Sequence, residues 1–177
     1  MYFMRVLFLF FLLCVSANSD DLDKDIKTFR AQFIQNVRGD SSVKASYEGI
    51  IEAKAPGFAK WIYFKPLKKE IYIDGRDVVV YEPNLFQATI THLKQETDFI
   101  SILKKAVISK DGRYCSKVGD TSYMLTFKDK KPYLLEFVDE FGNATEIKFS
   151  NVLINATIDD KDFIFVPSDD IDVIYQK

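Results

Sequence analysis

The segment that decides the fold spans residues 47–87 and reads YEGIIEAKAPGFAKWIYFKPLKKEIYIDGRDVVVYEPNLFQ. Short runs rich in β-branched and aromatic residues alternate there with turn-forming segments, which are Pro56-Gly57, Pro66-Leu67-Lys68-Lys69, Asp74-Gly75 and Pro83-Asn84. Such residues set the backbone dihedrals of tight turns, so the runs are predicted to be strands of an antiparallel meander. The segment also holds the single tryptophan, Trp61. We therefore expect this meander to form one wall of the functional site.

Two of these runs are apolar on both of their alternating sides. Trp61 and Tyr63 alternate with Ile62 and Phe64, and residues 78–80 are three consecutive valines. A strand that is apolar on both sides has to be covered on both sides. The sequence thus predicts packing partners on each face of this part of the sheet.

The composition describes an ordinary globular chain of one domain. It has 177 residues, of which 47% are hydrophobic and 15% aromatic, with a formal net charge of −2. Basic and acidic residues are interspersed, which argues against a nucleic-acid-binding surface. Cys115 is the only cysteine after the N-terminal apolar run, so no internal disulfide is expected in the remaining chain.

The N-terminus has the pattern of a secretory signal peptide over residues 1–19. A short start ending in Arg5 precedes an apolar run at 6–15, and small residues follow, so cleavage is predicted after Ala17 or Ser19. The run is too short for a comfortable membrane span, which disfavours the alternative of an uncleaved anchor. Residues 20–177 are then one exported domain.

Helical periodicity is found in two places. In residues 20–37, apolar side chains recur at spacings of three and four, which predicts a first amphipathic helix with Phe29 and Phe33 on its apolar stripe. Residues 99–109 predict a second, shorter helix that carries Leu103, and Thr97-Asp98 offers its N-cap. Further strands are predicted at 113–118, 121–127, 133–138, 144–152 and 163–166, with a last edge strand in the tail at 169–177.

These elements predict an α+β fold. It comprises one antiparallel sheet of about ten strands with two helices set against it. A single sheet of that size tends to curl, and the helices are expected to cover its concave side.

No pattern of catalytic or metal-binding residues is found, and no enzyme is predicted. His92 lies on a strand without an acid or nucleophile motif beside it, and acid-base catalysis needs an oriented partner. Asp74 belongs to an Asp-Gly turn, and Glu82 precedes a proline, so both are explained by turn chemistry. The acidic segments at 159–162 and 169–172 lack the spacing of a calcium loop. Neither a metal nor a cofactor is expected.

The unexplained feature is the surplus of large apolar side chains. Its members are Phe29, Phe33, Trp61, Tyr63, Tyr72, Tyr81 and Leu103. They are consistent either with a close-packed core or with the lining of a cavity that has the curled sheet as a cup and the helices as a lid. Composition alone leaves both interpretations open.

An ordered set of motifs resembles the LolA family of outer-membrane lipoprotein carrier proteins. The matching motifs are Phe33-Ile-Gln35, Tyr47-x-Gly49, Pro56-Gly57-Phe58-x-x-Trp61, Asp74-Gly75 with Tyr81-x-Pro83 and Gln87, Leu103, Asp139-x-x-Gly142-x-x-Thr145 and Phe163-x-Phe165-x-Pro167. They run in order along residues 20–177. The resemblance implies an unclosed antiparallel half-barrel with helices as a lid over a hydrophobic cavity.

The resemblance also implies a function and partners. Members of the family carry triacylated lipoproteins across the periplasm, from the inner-membrane ABC transporter LolCDE to the outer-membrane acceptor LolB where one exists. A monomer without cofactors is expected. The alternative on the same half-barrel is a periplasmic domain that senses lipids or lipoproteins and regulates a signalling pathway.

One position departs from the family pattern. In much of the family an arginine precedes the proline that matches Pro56 and helps to latch the lid by hydrogen bonding, whereas this chain has Ala55. We therefore expect the lid to be held mainly by apolar packing of Phe29, Phe33 and Leu103.

Overall fold

The computed structural model of the protein describes residues 25–39, 43–93, 98–139 and 141–176. The predicted signal peptide at 1–19, its cleavage positions and the first part of the predicted first helix lie outside these ranges. The strands are β1 (Thr28–Arg38), β2 (Val43–Lys54), β3 (Phe58–Lys65), β4 (Lys69–Asp74), β5 (Asp77–Glu82), β6 (Gln87–His92), β7 (Val107–Ile108), β8 (Tyr114–Val118), β9 (Thr121–Lys128), β10 (Lys131–Val138), β11 (Ala144–Ile154) and β12 (Asp172–Gln176). Helix α1 spans Phe99–Lys105, and short 3₁₀ helices span Pro83–Leu85 and Asp160–Phe163.

Within the described residues, the twelve strands form one sheet in the order β12-β6-β5-β4-β3-β2-β1-β11-β10-β9-β8-β7. Neighbouring strands are antiparallel, except that the edge strand β12 runs parallel to β6. Strands β12 and β7 remain at opposite edges, so the sheet is an unclosed half-barrel and the predicted fold class is confirmed. In the described ranges, no helix has the length and apolar character needed to cross a membrane.

The predicted first helix is wrong, because strand β1 occupies residues 28–38. Phe29, Ala31 and Phe33 are buried, while Gln32 and Ile34 between and beside them are exposed. A spacing of four residues fits one turn of a helix and also two pleats of a strand, so Phe29 and Phe33 are compatible with both periods. Pairing with β2 on one side and β11 on the other decides for the strand.

The predicted meander is confirmed. Strands β2 to β6 are consecutive neighbours in the sheet, and each is joined to the next at a predicted turn. Gly57 and Gly75 have positive φ angles of 75° and 59°, which glycine adopts without steric cost. The second predicted helix is also present, but it ends at Lys105, and Val107–Ile108 pairs with β8 as a strand.

The two faces of the sheet have different covers. The inner face carries the main core and is covered by α1. On the outer face, residues 155–171 pass across β3 to β5, and the ring of Phe163 lies 5.6 Å from that of Phe58. The predicted strand at 163–166 is therefore wrong: Phe163 ends a 3₁₀ helix, and an extended segment follows. The predicted tail strand is present as β12.

Candidate functional site

Four large side chains from β1 and β3 form the inner wall of the site. Phe29 and Phe33 point to the same face of β1, and Trp61 and Tyr63 to the same face of β3. The Phe33 ring lies 5.2 Å from the Trp61 ring and 5.1 Å from the Tyr63 ring, in edge-to-face geometry. Such arrangements are favourable for aromatic pairs, so these contacts stabilise the apolar wall.

Gly49 makes room for this wall. It lies opposite Phe33 in the pairing of β1 with β2, and a Cβ atom built on it would be 2.7 Å from the Phe33 ring. The same Cβ would be 2.1 Å from the carbonyl oxygen of Ile62. Only glycine permits so close an approach, which gives the Tyr47-x-Gly49 motif a physical reason.

Helix α1 closes the inner face. Its first residue, Phe99, places its ring 4.6 Å from Phe29 and 5.2 Å from Phe149 on β11. Asp98 caps the helix, with its side chain accepting a hydrogen bond of 2.9 Å from the backbone N–H of Ser101. Leu103 is buried on the same helix. The lid is thus one short helix held by aromatic packing.

A cavity of about 220 Å³ remains between α1 and the walls. It is lined by Gln35, Trp61, Tyr63, Ile73, Asp98, Phe99, Ile102, Tyr123, Leu135, Phe137 and Ile147. Most of these side chains are aliphatic or aromatic and converge from both halves of the sheet. A larger depression of about 300 Å³ contains Arg38, Arg113, Glu136 and Glu146. Those charged groups make the larger depression unsuitable for an apolar ligand.

Few polar groups reach the cavity, and Tyr63 is one of them. Its hydroxyl donates a hydrogen bond of 3.0 Å to Oε1 of Gln35. Burial raises the pKa of Tyr63 to about 12, so the side chain is neutral at physiological pH. Lys69, the first residue of β4, pairs with Tyr63 near the end of β3, and its ammonium group lies 4.7 Å from the centre of the Tyr63 ring.

The outer face holds Tyr72 and Tyr81, which were predicted to line the cavity. Tyr72 alternates with Ile71 and Ile73 on β4, and the latter two pack against the inner core. The Tyr72 and Tyr81 rings lie 5.4 and 5.2 Å from Phe165, under the segment that crosses the outer face. This placement corrects the prediction, because strand alternation separates them from Trp61 and Tyr63.

The predicted lid residues are likewise divided between two elements. Leu103 belongs to the lid helix, whereas Phe29 and Phe33 belong to the wall beneath it. The structure brings Phe29, Phe33, Trp61, Tyr63 and Leu103 together in one core.

Comparison with known proteins agrees with this geometry. A family model described as "Outer membrane lipoprotein carrier protein LolA" matches residues 24–114. The chain belongs to this family. The match includes β1 to β7 and helix α1, and thus both the wall at Phe33 and the lid at Phe99.

Curated relatives in the family extend the match over most of the chain. An outer-membrane lipoprotein carrier protein of Helicobacter pylori strain HPAG1 is 45% identical over 161 residues, covering 90% of this chain and 86% of its own. One of Helicobacter hepaticus is 40% identical over 152 residues, covering 85% of each chain. An uncharacterized conserved protein of Thermus thermophilus shares the fold, with a TM-score of 0.54 at 13% identity over 86% of this chain and 93% of its own.

Ala55 and Pro56, where the chain departs from the family pattern, lie in the turn between β2 and β3. The backbone N–H of Ala55 donates a hydrogen bond of 2.8 Å to the carbonyl oxygen of Lys27. The Ala55 side chain is a methyl group that packs against the inner core. It has no donor with which to latch a lid.

Sequence reasoning missed several residues that line the cavity, and it did not find the partner of His92, which it expected to be a surface or satisfied histidine. The inward residues Leu135 and Phe137 on β10 line the cavity, and their period-two alternation could have indicated this. Nδ1 of His92 lies 2.6 Å from Oδ1 of Asp77, although no acidic partner was expected. Both side chains are exposed and neither lines the cavity, so the pair belongs to the surface.

Proposed function

We propose that this protein is a periplasmic carrier that shelters the acyl chains of lipoproteins on their way to the outer membrane. It acts by binding rather than by catalysis. The observation that carries this proposal is the apolar cavity between the inner wall at Trp61 and Tyr63 and the lid at Phe99. Its aliphatic and aromatic lining fits a flexible hydrocarbon chain, which needs no directional polar contacts.

The need for such a cavity follows from the hydrophobic effect. Each methylene group of an acyl chain left in water is unfavourable by ~0.8 kcal/mol. A lipid-anchored protein therefore cannot cross an aqueous compartment at useful rates without apolar shelter. An open half-barrel lets the hydrophilic polypeptide of the cargo remain outside while its acyl chains enter.

The lid has to move for the cargo to enter. Ligand pockets usually have ~300–1,000 Å³, and the present cavity of about 220 Å³ lies below that range. Helix α1 is only seven residues long and is packed through Phe99, so its displacement would open the space above Phe29 and Phe149. The closed lid then competes with the cargo, which keeps the affinity moderate and permits release without an energy source.

The finer parts of the proposal concern export and partners. Residues 1–19 serve as a cleaved signal peptide, and residues 20–177 act as a monomeric carrier. The carrier receives triacylated lipoproteins from an inner-membrane LolCDE transporter and delivers them to the outer membrane, through a LolB-like acceptor where the cell has one. The apolar run at 6–15 and the family relatives support this route.

Native mass spectrometry of the exported protein tests the proposal. We expect an acylated polypeptide bound to the wild type and absent from Phe33→Asp, which places a charge on the inner wall. Ile34→Asp is the matched control, because Ile34 is the next residue of β1 and is exposed on the other face. Cargo on Phe33→Asp at the wild-type level would contradict the proposed site.

A second variant guards against loss of folding. Ile73→Asn changes a half-buried residue that lines the cavity, and circular dichroism checks that the sheet is retained.

Depletion of the protein in the cell tests the function itself. Lipoproteins stranded at the inner membrane support the carrier, whereas normal sorting with altered stress signalling supports the regulatory alternative.

A further inference from the structure

One inward-facing position of β1 carries a polar side chain. Phe29, Ala31 and Phe33 alternate along the inner face of β1 and are buried, and Gln35 is the next residue in this alternation. Gln35 is half-buried and lines the cavity, whereas the three residues before it belong to the core. An amide on an otherwise apolar wall is unfavourable unless it finds hydrogen-bond partners. Apolar packing therefore does not explain why this position holds a glutamine.

Tyr63 is the partner that the protein itself provides. The hydrogen bond of 3.0 Å between its hydroxyl and Oε1 of Gln35 joins β3 to β1 across the intervening strand β2. The phenol and the amide have three polar hydrogens between them, and this bond uses one. Within the described residues, neither side chain makes another hydrogen bond to a protein group. We call Gln35 and Tyr63 the polar pair, and two of its donor hydrogens are left for a ligand.

The polar pair lies toward the more open end of the inner face. Phe29 and Phe33 are almost fully buried, whereas Gln35 is half-buried. Phe99 of the lid packs on Phe29, which precedes Gln35 by six residues, or ~20 Å at the rise of an extended strand. The inner face thus has an apolar end beneath the lid and a polar end at Gln35.

The charged groups around the cavity do not favour an anionic ligand. Asp98 is the charged member of the cavity lining, and its two oxygens accept hydrogen bonds from the backbone N–H and the hydroxyl of Ser101. Lys69 lies over the Tyr63 ring on the other side of the polar pair. The carboxylates next to the inward residues of β2 and β11 are held in ion pairs, which are Glu48–Lys65 and Glu146–Arg38. With one anion and one cation beside it, the polar pair suits a neutral acceptor.

A carbonyl oxygen is the neutral acceptor that an acyl chain brings. Every acyl chain is attached through the carbonyl of an ester or an amide, whereas its hydrocarbon part has no polar group. Burying a carbonyl without a hydrogen bond is costly, and the hydrocarbon needs no such partner. A chain whose tail lies beneath the lid places its carbonyl toward the other end, where the donors of the polar pair are available.

We propose that Gln35 binds the carbonyl oxygen of the ester or amide linkage of an acyl chain, and that Tyr63 positions the Gln35 amide. The proposal rests on the proposed carrier function and adds a specificity for acyl chains over alkyl chains of the same length. The Gln35 side chain donates the hydrogen bond, and the hydrocarbon extends from there toward Phe99.

Displacement of a fluorescent acyl probe from the protein tests this specificity. The competitors are dioctanoylglycerol, which has ester carbonyls, and the dioctyl ether of glycerol, which has none. We expect the wild type to bind the ester about fivefold more tightly than the ether, as one neutral hydrogen bond allows. Gln35→Leu should bind the ether as the wild type does and should lose the preference for the ester. Tyr63→Phe should reduce the preference, because the amide loses the group that orients it.

Gln32→Leu is the matched control. Gln32 is on the same strand but is exposed on the outer face, where its side chain accepts a hydrogen bond of 2.8 Å from Asn151. This variant should keep the wild-type preference. Infrared spectroscopy of the ester with an isotope-labelled carbonyl reads the contact in the wild type itself. The band of the bound ester should lie at lower frequency than in an apolar solvent, and Gln35→Leu should abolish this shift.

The outcomes separate recognition of the carbonyl from carriage. If the wild type binds ester and ether equally, if its bound carbonyl band is not shifted, or if Gln35→Leu keeps the preference, the role of Gln35 is overturned and the carrier function stands. A wild type that binds neither the acyl probe nor the two competitors would overturn the carrier function together with the role of Gln35.

Discussion

The ring of Phe33 occupies the space in which Gly49 would otherwise carry a side chain. The two residues are directly opposite each other on β1 and β2, and the nearest ring atom is 2.7 Å from the position of a Cβ on Gly49. Phe33 in turn contacts Trp61 and Tyr63. Because Gly49 has no side chain, the Phe33 ring can pack directly against the backbone of β2.

Gly49→Ala should destabilise the protein by about 1–3 kcal/mol, because the added methyl group overpacks the wall. The Phe33 ring would shift toward the lid, and the backbone of β3 at Ile62 would have to yield as well. Urea denaturation measures the loss. In a Phe33→Ala background the same substitution should be less destabilising, and strictly additive effects would contradict the proposed clash.

The sequence was sufficient to predict the meander, because its turns are marked by residues with few alternatives. Gly57 and Gly75 have positive φ angles, and both glycines were identified as turn residues. The need for cover on both faces also followed from the apolar pattern at Trp61–Phe64, and the segment containing Phe163 supplies the outer cover near Phe58.

The sequence was insufficient where the spacing of apolar residues fits both a helix and a strand. It was also insufficient where the face of a strand residue depends on the register of the sheet. Phe29 and Phe33 are four residues apart, which suits a helix or a strand, and only pairing with β2 and β11 resolves the ambiguity. Tyr72 and Tyr81 are large aromatics like Trp61, but their face depends on the register of β3, β4 and β5. Register is a property of the assembled sheet, so the cavity lining could not be fixed beforehand.

Alkaline pH should destabilise the protein through Tyr63. Burial raises the pKa of this phenol to about 12 in the folded state from 10.0. The unfolded chain loses the proton first as pH rises, so stability is retained below pH 10 and falls as pH approaches 12. The loss is roughly 2–3 kcal/mol.

Tyr63→Phe isolates this contribution. The variant lacks the hydrogen bond to Gln35 and should be less stable at neutral pH by about 1 kcal/mol. Its stability should nevertheless fall less steeply than that of the wild type above pH 10. The measurement is urea denaturation across the alkaline range, and parallel curves for the two proteins would show that Tyr63 does not control the transition.

Phe99→Ala should loosen the lid. The substitution removes the ring that packs on Phe29 and Phe149, and the protein should lose about 3–5 kcal/mol of stability. Because the closed lid competes with cargo, the affinity for an acyl probe should rise and its release should slow. Fluorescence titration and stopped-flow displacement measure both.

Lys104→Ala serves as the control for the lid, since Lys104 is exposed on the same helix. It should leave both stability and acyl binding unchanged. If Phe99→Ala lowers the affinity for the probe, Phe99 acts as a cargo contact rather than as the closing element.

Phe165→Ala should lower stability through the outer face of the sheet without changing acyl binding on the inner face. Phe165 is half-buried and covers Tyr72 and Tyr81 on the outer face, so its loss should destabilise the protein by about 1–3 kcal/mol. Acyl binding should be unchanged under conditions in which the variant remains folded, because the inner wall at Trp61 and Tyr63 keeps its contacts. Thermal unfolding and probe titration on the same sample measure the two effects. If acyl affinity falls together with stability, the segment that contains Phe165 controls the shape of the cavity on the other side of the sheet.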